Sequence, residues 1–477
     1  MGRSSDDTLL KCDVAVIGAG TAGLVAERHA RKAGAKTLLI DPEFRGTTCA
    51  AVGCMPSKLL IAAADAAHGI TQASQLGIDA TAQVDGPAVM KRVQRHRDRF
   101  VESTKAQIRK LPDGVCVKAR AKFSGPNTLD LDNGQRVHAR AVIIATGAAP
   151  TVPDAFSGLG DRLLTNENVF DLEELPTSLG VVGAGPVGLE IAQAMSRLGV
   201  DVTVVDHGNS IAALSDPAVA NRLHDILSDE FPIYLGVDAK TVPAEDKVKL
   251  SWQGDSSGEA LVSHVFLAVG RPANLEDLNL AKANLKLDDH GTPVFDRKTM
   301  QCGDAPIFIA GDANHDRPLL HEAADEGAVA GHNAAKWPDV ARSRRKTPLS
   351  IVFTRPTAAS VGKVPFDAET DMLVGSTDFD NQGRATIECR AHGGIRLYAE
   401  KGDSRLSGAE MCLPDSEHLA HLLCWAIESG MTVSQLLDSP FYHPTLEEGL
   451  KPALRDLCEA LQESTPWDRA DGHMPGC

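Results

Sequence analysis

Two glycine-rich turns constrain the fold of this chain more than any other feature of its sequence. The first turn consists of Gly18, Ala19, Gly20, Thr21, Ala22 and Gly23. It follows a predicted apolar strand at 12–17 and precedes a predicted helix at 24–33. Glycines at these spacings permit a tight turn and let a pyrophosphate approach the N–H groups at the helix start. A second predicted strand, 37–40, ends at Asp41, whose carboxylate is placed to bind a ribose. This order predicts a parallel α/β unit that binds a dinucleotide.

The same pattern occurs a second time. The second turn consists of Gly183, Ala184, Gly185, Pro186, Val187 and Gly188. A predicted strand at 179–182 precedes it, a predicted helix follows to about residue 198, and a strand at 201–205 ends at Asp206. Both fingerprints are intact, which disfavours one functional unit with a degenerate copy. Two complete sites in one chain predict two different dinucleotides, or a flavin and a nicotinamide.

Charge decides which nucleotide is expected at the second site. Asp206 should bind the ribose hydroxyls and repel a 2′-phosphate, and no Lys or Arg occurs between Asp206 and Ala213 to offset that repulsion. The sequence therefore predicts NAD rather than NADP.

Two cysteines lie five positions apart, Cys49 and Cys54, with Gly53 between them and Pro56 before a predicted helix at 58–68. Thiols at this spacing close a small disulfide if the intervening turn is tight, and Gly53 relaxes that turn. A thiolate just before a helix N-terminus is stabilised by the peptide dipoles, so both sulfurs are expected to ionise and exchange readily. For this spacing alone, a pair of buried structural cysteines is the simpler interpretation. The two dinucleotide turns favour a redox disulfide instead.

Composition and charge narrow the class of protein. The 477 residues are enough for roughly three domains, and 43% hydrophobic residues suffice for a sizeable core. A net charge of −16 argues against nucleic acid and anionic membrane partners. No stretch approaches ~20 apolar residues, so no transmembrane helix is expected. The start of the chain carries acidic residues and no apolar signal segment, and a cytoplasmic protein is expected.

The other cysteines are expected to be reduced thiols. His418, His421 and Cys424 recur at three-residue spacing, but the face of an amphipathic helix explains them better than a metal site, and no metal is expected. Cys477 stands alone near the C-terminus, where a disordered tail is expected rather than a second dithiol. The basic run 342–346 is interpreted as a solvated interdomain segment.

Further motifs follow in order along the chain. They are Ala145-Thr146-Gly147, Val269-Gly270-Arg271-Pro272, Phe308-Ile309-Ala310-Gly311-Asp312 and His443-Pro444-Thr445-Leu446-Glu447-Glu448. With these motifs, residues 13–457 resemble the class I pyridine nucleotide-disulfide oxidoreductases, and within them the dihydrolipoyl dehydrogenases most closely. The resemblance implies an α/β fold with two Rossmann-like dinucleotide-binding domains, one for FAD and one for NAD, and a C-terminal α+β dimerisation domain. It also implies a homodimer.

On this resemblance, the FAD-binding domain comprises 1–150 and 269–346, the NAD-binding domain 151–268, and the dimerisation domain 347–477. Helices are expected at 89–111, 321–336 and 417–428, and strands at 349–353 and 395–399.

The resemblance also implies cofactor contacts residue by residue. On the FAD side they are Gly18, Gly20, Thr21, Ala22, Gly23, Asp41, Thr48, Lys58, Ala121, Ala145, Thr146, Gly147, Gly311, Asp312, Leu320 and His321. On the NAD side they are Gly183, Gly185, Pro186, Val187, Gly188, Asp206, Ala239, Gly270 and Arg271. Asp312 is implied to bind the ribityl chain of the flavin, and Lys58, paired with Glu190, to lie against the isoalloxazine.

A catalytic histidine is expected near the end of the chain. His443 precedes Glu448 by five positions, which places a carboxylate to orient an imidazole. The resemblance implies that this histidine serves the disulfide of the second subunit. A substrate dithiol, deprotonated by His443, would attack Cys49, and Cys54 would act as the thiolate nearer the flavin. The implied substrate is dihydrolipoamide on a lipoyl-bearing acyltransferase of a 2-oxo acid dehydrogenase complex, with NAD+ as the acceptor.

Three alternatives stay open. One is an NAD(P)H-dependent reductase of another disulfide or of mercuric ion, against which Asp206 and the single terminal cysteine argue. The second is a flavin transhydrogenase or oxidase, which the intact pair of Cys49 and Cys54 disfavours. The third is a non-enzymatic flavoprotein that serves as a binding subunit of a dehydrogenase complex, and turnover by the isolated protein would distinguish it.

Overall fold

A computed structural model of the chain describes residues 9–365 and 372–463. The expectations for the first seven residues and for Cys477 fall outside these ranges. Contacts group the described residues into two compact units. The first unit comprises 9–56, 93–151 and 270–345, and the second comprises 57–92, 152–269, 346–365 and 372–463.

The helices and strands follow in chain order. Up to residue 144 they are β1 (Leu9–Ile17), α1 (Thr21–Lys32), β2 (Thr37–Asp41), α2 (Thr48–Ala51), α3 (Cys54–Gln72), α4 (Gly86–Ile108), β3 (Cys116–Lys118), β4 (Ala121–Gly125), β5 (Thr128–Leu131) and β6 (Arg136–Ile144). Between 163 and 267 they are β7 (Leu163–Leu164), β8 (Ser178–Val182), α5 (Pro186–Arg197), β9 (Asp201–Val205), α6 (Pro217–Ser228), β10 (Ile233–Tyr234), β11 (Val237–Ala244), β12 (Lys247–Gly254), β13 (Ser257–Val262) and β14 (His264–Leu267). The remainder are β15 (Ile307–Ile309), α7 (Leu320–Lys336), β16 (Leu349–Val352), β17 (Thr357–Gly362), β18 (Met372–Asp378), α8 (Gly383–Ile387), β19 (Gly394–Glu400), β20 (Leu406–Leu413), α9 (Ser416–Glu428), α10 (Val433–Leu437) and α11 (Leu450–Ala460).

The first unit is built on a seven-stranded sheet of order β3-β2-β1-β6-β5-β4, with β15 also paired to β6. The strands β3, β2, β1, β6 and β15 run parallel, whereas β4 and β5 form an antiparallel edge. The centre of β1 is apolar at successive positions and fully buried from Val14 to Val16. This continuous burial is typical of a parallel strand covered on both faces. The first predicted strand-turn-helix-strand unit is thus confirmed.

Two helices of the first unit pack unusually closely. Gly327 and Gly331 of α7 face the backbone oxygens of Ala22 and Ala26 in α1, and a Cβ at either glycine would overlap them. Residues four apart lie on one helix face, so this pair of glycines forms a shallow groove for α1. The close packing fixes α1, and with it the first glycine turn, against α7.

The second unit contains three sheets. A five-stranded parallel sheet has the order β10-β9-β8-β14-β7 and carries the second glycine turn. A three-stranded antiparallel sheet follows, of order β11-β12-β13. The last sheet is antiparallel, of order β16-β17-β20-β19-β18, and α9 and α11 pack against it. The predicted α/β fold with a C-terminal antiparallel region is confirmed, as are the helices and strands expected there.

One stretch, Thr48–Leu76, is long and apolar enough by composition to span a membrane. It consists of α2, α3 and a short 3-10 turn, and it includes the charged residues Lys58 and Asp65. A single such segment is weak evidence for a membrane span, because the core helix of a soluble protein has the same composition. It nevertheless corrects the expectation that nothing in this chain resembles a spanning segment.

The basic run 342–346 is not uniformly solvated, which corrects its interpretation from sequence. The Arg342 side chain is 65% exposed and pairs with Asp296. The Arg345 side chain is only 18% exposed and lies between Glu322 and Glu326 of α7. A pattern of charges along the chain does not reveal which of them find buried partners.

Candidate active site

The first glycine turn has the backbone geometry that a pyrophosphate requires. Gly18 has φ +101°, and a Cβ there would overlap the carbonyl oxygen of Ala145. A Cβ at Gly23 would overlap the carbonyl oxygen of Gly18. At Gly20, which is the N-cap of α1, a Cβ would meet nothing within 4 Å. Two glycines therefore make the turn, and the third leaves the helix N-terminus open to an anion.

Asp41 closes the same turn from the end of β2. Its Oδ2 accepts the N–H of Ala19 at 2.9 Å, and its Oδ1 accepts the N–H groups of Glu43 and Phe44. These bonds fix the carboxylate beside the glycine turn, where the second strand of a dinucleotide fold places an acidic residue.

A cavity of about 880 Å³ extends from this turn. It is lined by Gly18, Asp41, Ala121 and Thr146, all of which were predicted to contact FAD. The hydroxyl oxygen of Thr146 is buried and has no hydrogen-bond partner among the described residues. A cavity of this size with a glycine turn, an acidic residue and an unsatisfied hydroxyl fits a dinucleotide.

A smaller cavity of about 130 Å³ brings together predicted residues that are far apart in sequence. From the predicted set it is lined by Gly20, Thr21, Ala22, Thr48, Cys49, Cys54, Ala145, Gly147, Arg271, Gly311, Asp312 and Leu320. Of the two residues predicted to approach the flavin ring, Leu320 is among the described residues that line this cavity and His321 is not. Both cysteines thus open onto the cavity that carries the first glycine turn.

Arg271 is also in this cavity. Its Nη1 lies 3.3 Å from Asp312 Oδ2, and its Nη2 donates to the carbonyl oxygen of Ala148 at 2.9 Å. The resemblance assigned Arg271 to the nicotinamide nucleotide, whereas the structure shows it paired with a residue assigned to the flavin. The positive charge of Arg271 therefore acts on the Asp312 carboxylate and on any group that this carboxylate binds.

Cys49 and Cys54 occupy the ends of a tight connection. Cys49 lies in the one-turn helix α2, and Cys54 is the first residue of α3. A Cβ at Gly53 would lie 3.1 Å from the carbonyl oxygen of Thr48, so a larger residue would press against α2. The local sequence therefore folds so that the two thiols hydrogen-bond to each other.

The two thiols are not equivalent. The pKa of Cys49 is raised well above its ordinary value, first by the hydrogen bond to Cys54, then by burial and by charge at Cys54. Hydrogen bonds from the N–H groups of Cys54 and Met55 to the Cys49 sulfur lower the pKa only in part. The expectation that both sulfurs ionise readily is therefore wrong for Cys49 in the reduced pair. Ionisation of Cys49 is thus disfavoured while both sulfurs are reduced.

Lys58 follows Cys54 by four residues in α3. Its Nζ lies 2.7 Å from Glu190 Oε2 in α5 and 4.5 Å from the ring centre of Phe353. The other carboxylate oxygen, Glu190 Oε1, accepts the Phe353 N–H at 3.0 Å. The pairing of Lys58 with Glu190 was predicted, but the aromatic contact was not, because nothing in the sequence pattern links Phe353 to α3.

A second set of contacts joins α3, α5 and the segment at 353–355, two turns further along α3. Asp65 accepts from Arg197 of α5 at 3.0 Å and from Arg355 at 3.2 Å, while Gln193 bonds the backbone of Arg355. The Arg197 side chain is almost fully buried and also pairs with Glu230. Sequence reasoning missed this network, whose only signal is charged residues at seven-residue spacing on two apolar helices.

The second glycine turn repeats the geometry of the first. Gly183 has φ +109°, and a Cβ at Gly188 would overlap the carbonyl oxygen of Gly183. Pro186 occupies the first turn of α5, where its missing N–H costs nothing. Asp206 Oδ2 accepts from the N–H of Ala184, and Oδ1 accepts from the Gly208 N–H at 2.7 Å. The turn is suited to a second dinucleotide.

The remaining residues predicted on the NAD side are less clustered. Val187 in the first turn of α5 is exposed, and Ala239 lies in β11. Gly270 belongs to the first unit and has φ +120°.

His443 and Glu448 form the predicted pair. His443 Nδ1 lies 3.0 Å from Glu448 Oε2, which also accepts the Thr445 N–H at 3.3 Å. The imidazole is 41% exposed, whereas the carboxylate is 15% exposed. The carboxylate is thus held by the backbone and orients the imidazole through Nδ1.

No cluster of three or more His, Cys, Asp or Glu side chains with metal-site geometry occurs among residues 9–365 and 372–463. His418, His421 and Cys424 lie on α9, as predicted. His421 Nδ1 is bonded to the Glu417 carbonyl oxygen within that helix.

Two family descriptions match the chain. "Pyridine nucleotide-disulphide oxidoreductase" matches residues 12–327, and "Pyridine nucleotide-disulphide oxidoreductase, dimerisation domain" matches residues 349–454. The chain belongs to the pyridine nucleotide-disulphide oxidoreductase family, as its motifs predicted. It is an enzyme of a family of flavoprotein disulfide reductases that bind FAD and a pyridine nucleotide, and the dimerisation domain supports a homodimer.

Individual relatives differ in their named activities. A dihydrolipoyl dehydrogenase of Thermus scotoductus is 31% identical over 458 residues, 93% of this chain and 97% of the relative. A mercuric reductase of Acidithiobacillus ferrooxidans is 30% identical over 479 aligned positions, 97% of this chain and 85% of the relative. The crystal structure of LpdA from Mycobacterium tuberculosis is similar with a TM-score of 0.80 and 25% identity, covering 93% and 99% of the two chains.

Proposed function

We propose that the protein is a dihydrolipoyl dehydrogenase, which oxidises protein-bound dihydrolipoamide to lipoamide and reduces NAD+ to NADH. The observation that carries the proposal is the hydrogen-bonded pair of Cys49 and Cys54 in the cavity of the first glycine turn. The similarity to dihydrolipoyl dehydrogenases over nine-tenths of the chain supports this substrate. The partner would be the lipoyl-bearing acyltransferase of a 2-oxo acid dehydrogenase complex.

The residues of the first unit fit FAD. The glycine turn and Asp41 would hold its pyrophosphate and adenosine ribose, Ala121 and Thr146 would line the adenosine end, and Asp312 would bind the ribityl chain. When bound, FAD supplies a two-electron acceptor between the dithiol and the nicotinamide. Lys58 and Glu190 belong to the second unit, and the family resemblance assigns the charge of Lys58, held by Glu190, to stabilising negative charge on the isoalloxazine.

The thiol chemistry is carried by residues of this chain. Nε2 of His443 removes a proton from one substrate thiol. Glu448 holds the His443 imidazole in the tautomer that carries its proton on Nδ1, so that Nε2 can accept one. The substrate thiolate attacks Cys49 Sγ, the Cys49–Cys54 bond breaks, and Cys54 leaves as a thiolate. The second substrate thiol attacks the substrate's own sulfur in the mixed disulfide and closes the cyclic product, and Cys49 leaves and takes up the proton of that thiol. Two electrons have then passed from the substrate dithiol to the cysteine pair.

His443 lies within the segment that matches the dimerisation domain. We assign it to the active site of the second subunit, so that neither subunit alone is active. The domain limits of 150, 268 and 346 and the cytoplasmic location are parts of the same proposal.

A steady-state assay tests the function. With dihydrolipoamide and NAD+, kcat/KM should exceed that for other disulfides or mercuric ion with NADH or NADPH by about tenfold or more. Cys49→Ser should abolish every dithiol reaction, whereas Cys116→Ser, which changes an exposed single cysteine, should be without effect. Faster turnover of mercuric ion with NADPH would contradict the proposal in favour of the activity named for the Acidithiobacillus relative.

Nucleotide choice is tested at Asp206. Asp206→Arg removes a repulsion of the 2′-phosphate and adds a cation, so the ratio of kcat/KM for NAD and NADP should fall by about 10²-fold. The variant also loses the acceptor for the N–H groups of Ala184 and Gly208. Asp206→Asn is the matched control, because it keeps an acceptor without the charge and should shift the ratio less. An unchanged ratio in a folded Asp206→Arg protein would mean that Asp206 does not face the ribose.

A further inference from the structure

Arg345 lies in the part of the chain, residues 328–348, that neither family description covers. Its side chain reaches back to α7 and forms three carboxylate contacts. Nη2 is 2.8 Å from both Glu322 Oε2 and Glu326 Oε1, and Nη1 is 3.7 Å from Asp316 Oδ2. An arginine in a basic linker is thus bound into the first unit as a partly buried counter-ion.

Glu326 links this arginine to the candidate flavin site. Its side chain is 1% exposed, and its Oε2 accepts the Gly311 N–H at 2.8 Å and the Asn314 side-chain amide at 2.7 Å. Gly311 and Asn314 are the ends of the short 3-10 turn that contains Asp312. One carboxylate oxygen therefore holds both ends of the turn that presents Asp312 to the cavity.

The turn has little freedom to adapt. Gly311 has φ +71°, and a Cβ there would lie 2.9 Å from the Cβ of Ala22 in α1. The position of Asp312 is therefore set by the bonds of Glu326 and by the close packing of α1. A carboxylate as deeply buried as Glu326 keeps its charge only beside a cation.

Burial raises the pKa of Glu326, and the Gly311 N–H, Arg345 and Asn314 oppose that shift. Among the described residues, Arg345 is the only cation paired with Glu326, whereas Glu322 also pairs with Arg317 at 2.8 Å. Loss of Arg345 would therefore favour protonation of Glu326, and a neutral carboxyl accepts the Gly311 N–H and the Asn314 amide more weakly than a carboxylate does.

We propose that Arg345 is a positioning residue for FAD: it neutralises Glu326, which fixes the Gly311–Asn314 turn and holds Asp312 against the ribityl chain. The inference rests on the proposed assignment of Asp312 to FAD. Arg345 is not among the described residues that line the cavity of the two cysteines, so its effect on Asp312 is transmitted through the carboxylates it pairs with, of which Glu326 bonds directly to the turn.

The rate of FAD release from the holoenzyme tests this role, followed by the rise in flavin fluorescence after dilution. Arg345→Met keeps the aliphatic stem and removes the charge, and release should accelerate by about tenfold or more. Arg345→Lys should stay within about threefold of the unmodified protein, because the charge is retained without the guanidinium fork. Arg342→Met is the matched control from the same run. It removes an exposed ion pair, and FAD release should stay within about twofold of the rate of the unmodified protein.

A double variant separates the charge effect from loss of packing. In Arg345→Met with Glu326→Gln, the buried charge is removed together with its partner, so release should be slower than in Arg345→Met alone. If Arg345→Met proves insoluble, Arg345→Lys is compared with the single variant Glu326→Gln. Glu326→Gln should then release FAD faster than Arg345→Lys does. Release at the rate of the unmodified protein in Arg345→Met or in Glu326→Gln, or no recovery in the double variant, would overturn the inference. An unmodified protein that holds no FAD would instead refute the proposed function.

Discussion

His443→Ala protein is expected to lose activity with dihydrolipoamide by about 10²- to 10⁴-fold, the range for loss of a general base. The imidazole is held through Nδ1 by Glu448, and no other histidine occurs between residues 422 and 463 to replace it. Cys49→Ser protein is expected to be at least as inactive, because the sulfur that the substrate attacks is gone. Steady-state turnover of each purified homodimer gives these values.

The decisive measurement combines the two variants. Co-refolding His443→Ala with Cys49→Ser should restore activity that neither homodimer has. In the mixed dimer, one site contains an intact cysteine pair from one subunit and an intact histidine from the other. Turnover per mixed dimer should therefore approach half that of the unmodified dimer. If mixed dimers form but stay inactive, His443 serves its own subunit or has no catalytic role.

Glu448→Gln is expected to reduce activity less than His443→Ala does. The amide oxygen of glutamine still accepts from Nδ1, but the charge that stabilises the imidazolium is lost. Activity between that of the unmodified protein and that of His443→Ala is expected. Glu447→Gln is the matched control, since Glu447 is the neighbouring carboxylate and is not the partner of His443. Equal losses in both variants would argue against the pair.

The second large effect concerns the reduced cysteine pair. Two-electron reduction of the holoenzyme should produce a long-wavelength charge-transfer band from the Cys54 thiolate to the flavin, and Cys54→Ser should abolish it. The raised pKa of Cys49 supports the assignment, because it disfavours a thiolate on Cys49. Dithiol turnover in Cys54→Ser should fall by about 10³-fold or more, as for loss of a nucleophile from a catalytic unit.

The Cys49→Ser variant shows, in the same absorption spectrum, which of the two cysteines gives the charge-transfer band. It cannot form the disulfide, so the Cys54 thiolate band should be present without any reductant. Anaerobic absorption spectra of both variants make the comparison. A band that survives in Cys54→Ser, or that is lost in Cys49→Ser at alkaline pH, would mean that the other sulfur lies nearer the flavin.

The sequence predicted those parts of the fold that depend on neighbours along the chain. The strands β1, β2, β8 and β9 and the helices α1 and α5 lie where apolar runs and glycine spacing predicted them. Asp41 and Asp206 close their turns as expected because each directly follows the second strand of its unit. The limits of α3 were less accurate. The helix was predicted at 58–68, after Pro56, whereas α3 spans Cys54–Gln72, because Pro is also tolerated in the first turn of a helix.

The unequal thiols could not be predicted from the spacing of Cys49 and Cys54. Helix dipoles predicted easy ionisation of both sulfurs. That local argument omits the charge of the first thiolate, which at hydrogen-bond distance opposes ionisation of the second. The distance between two side chains is set by the fold of α2 and Gly53, so the coupling is a property of the structure.

The sequence by itself determined the family, the two dinucleotide turns, the cysteine pair and the pairing of His443 with Glu448, because each depends on residue types at short, fixed spacings. Only the tertiary structure decided that Arg345 is buried against Glu326 rather than solvated, and that Phe353 lies over Lys58. These contacts join residues 19 and 295 positions apart. No periodicity along the chain encodes them, since they arise where segments distant along the chain pack against each other.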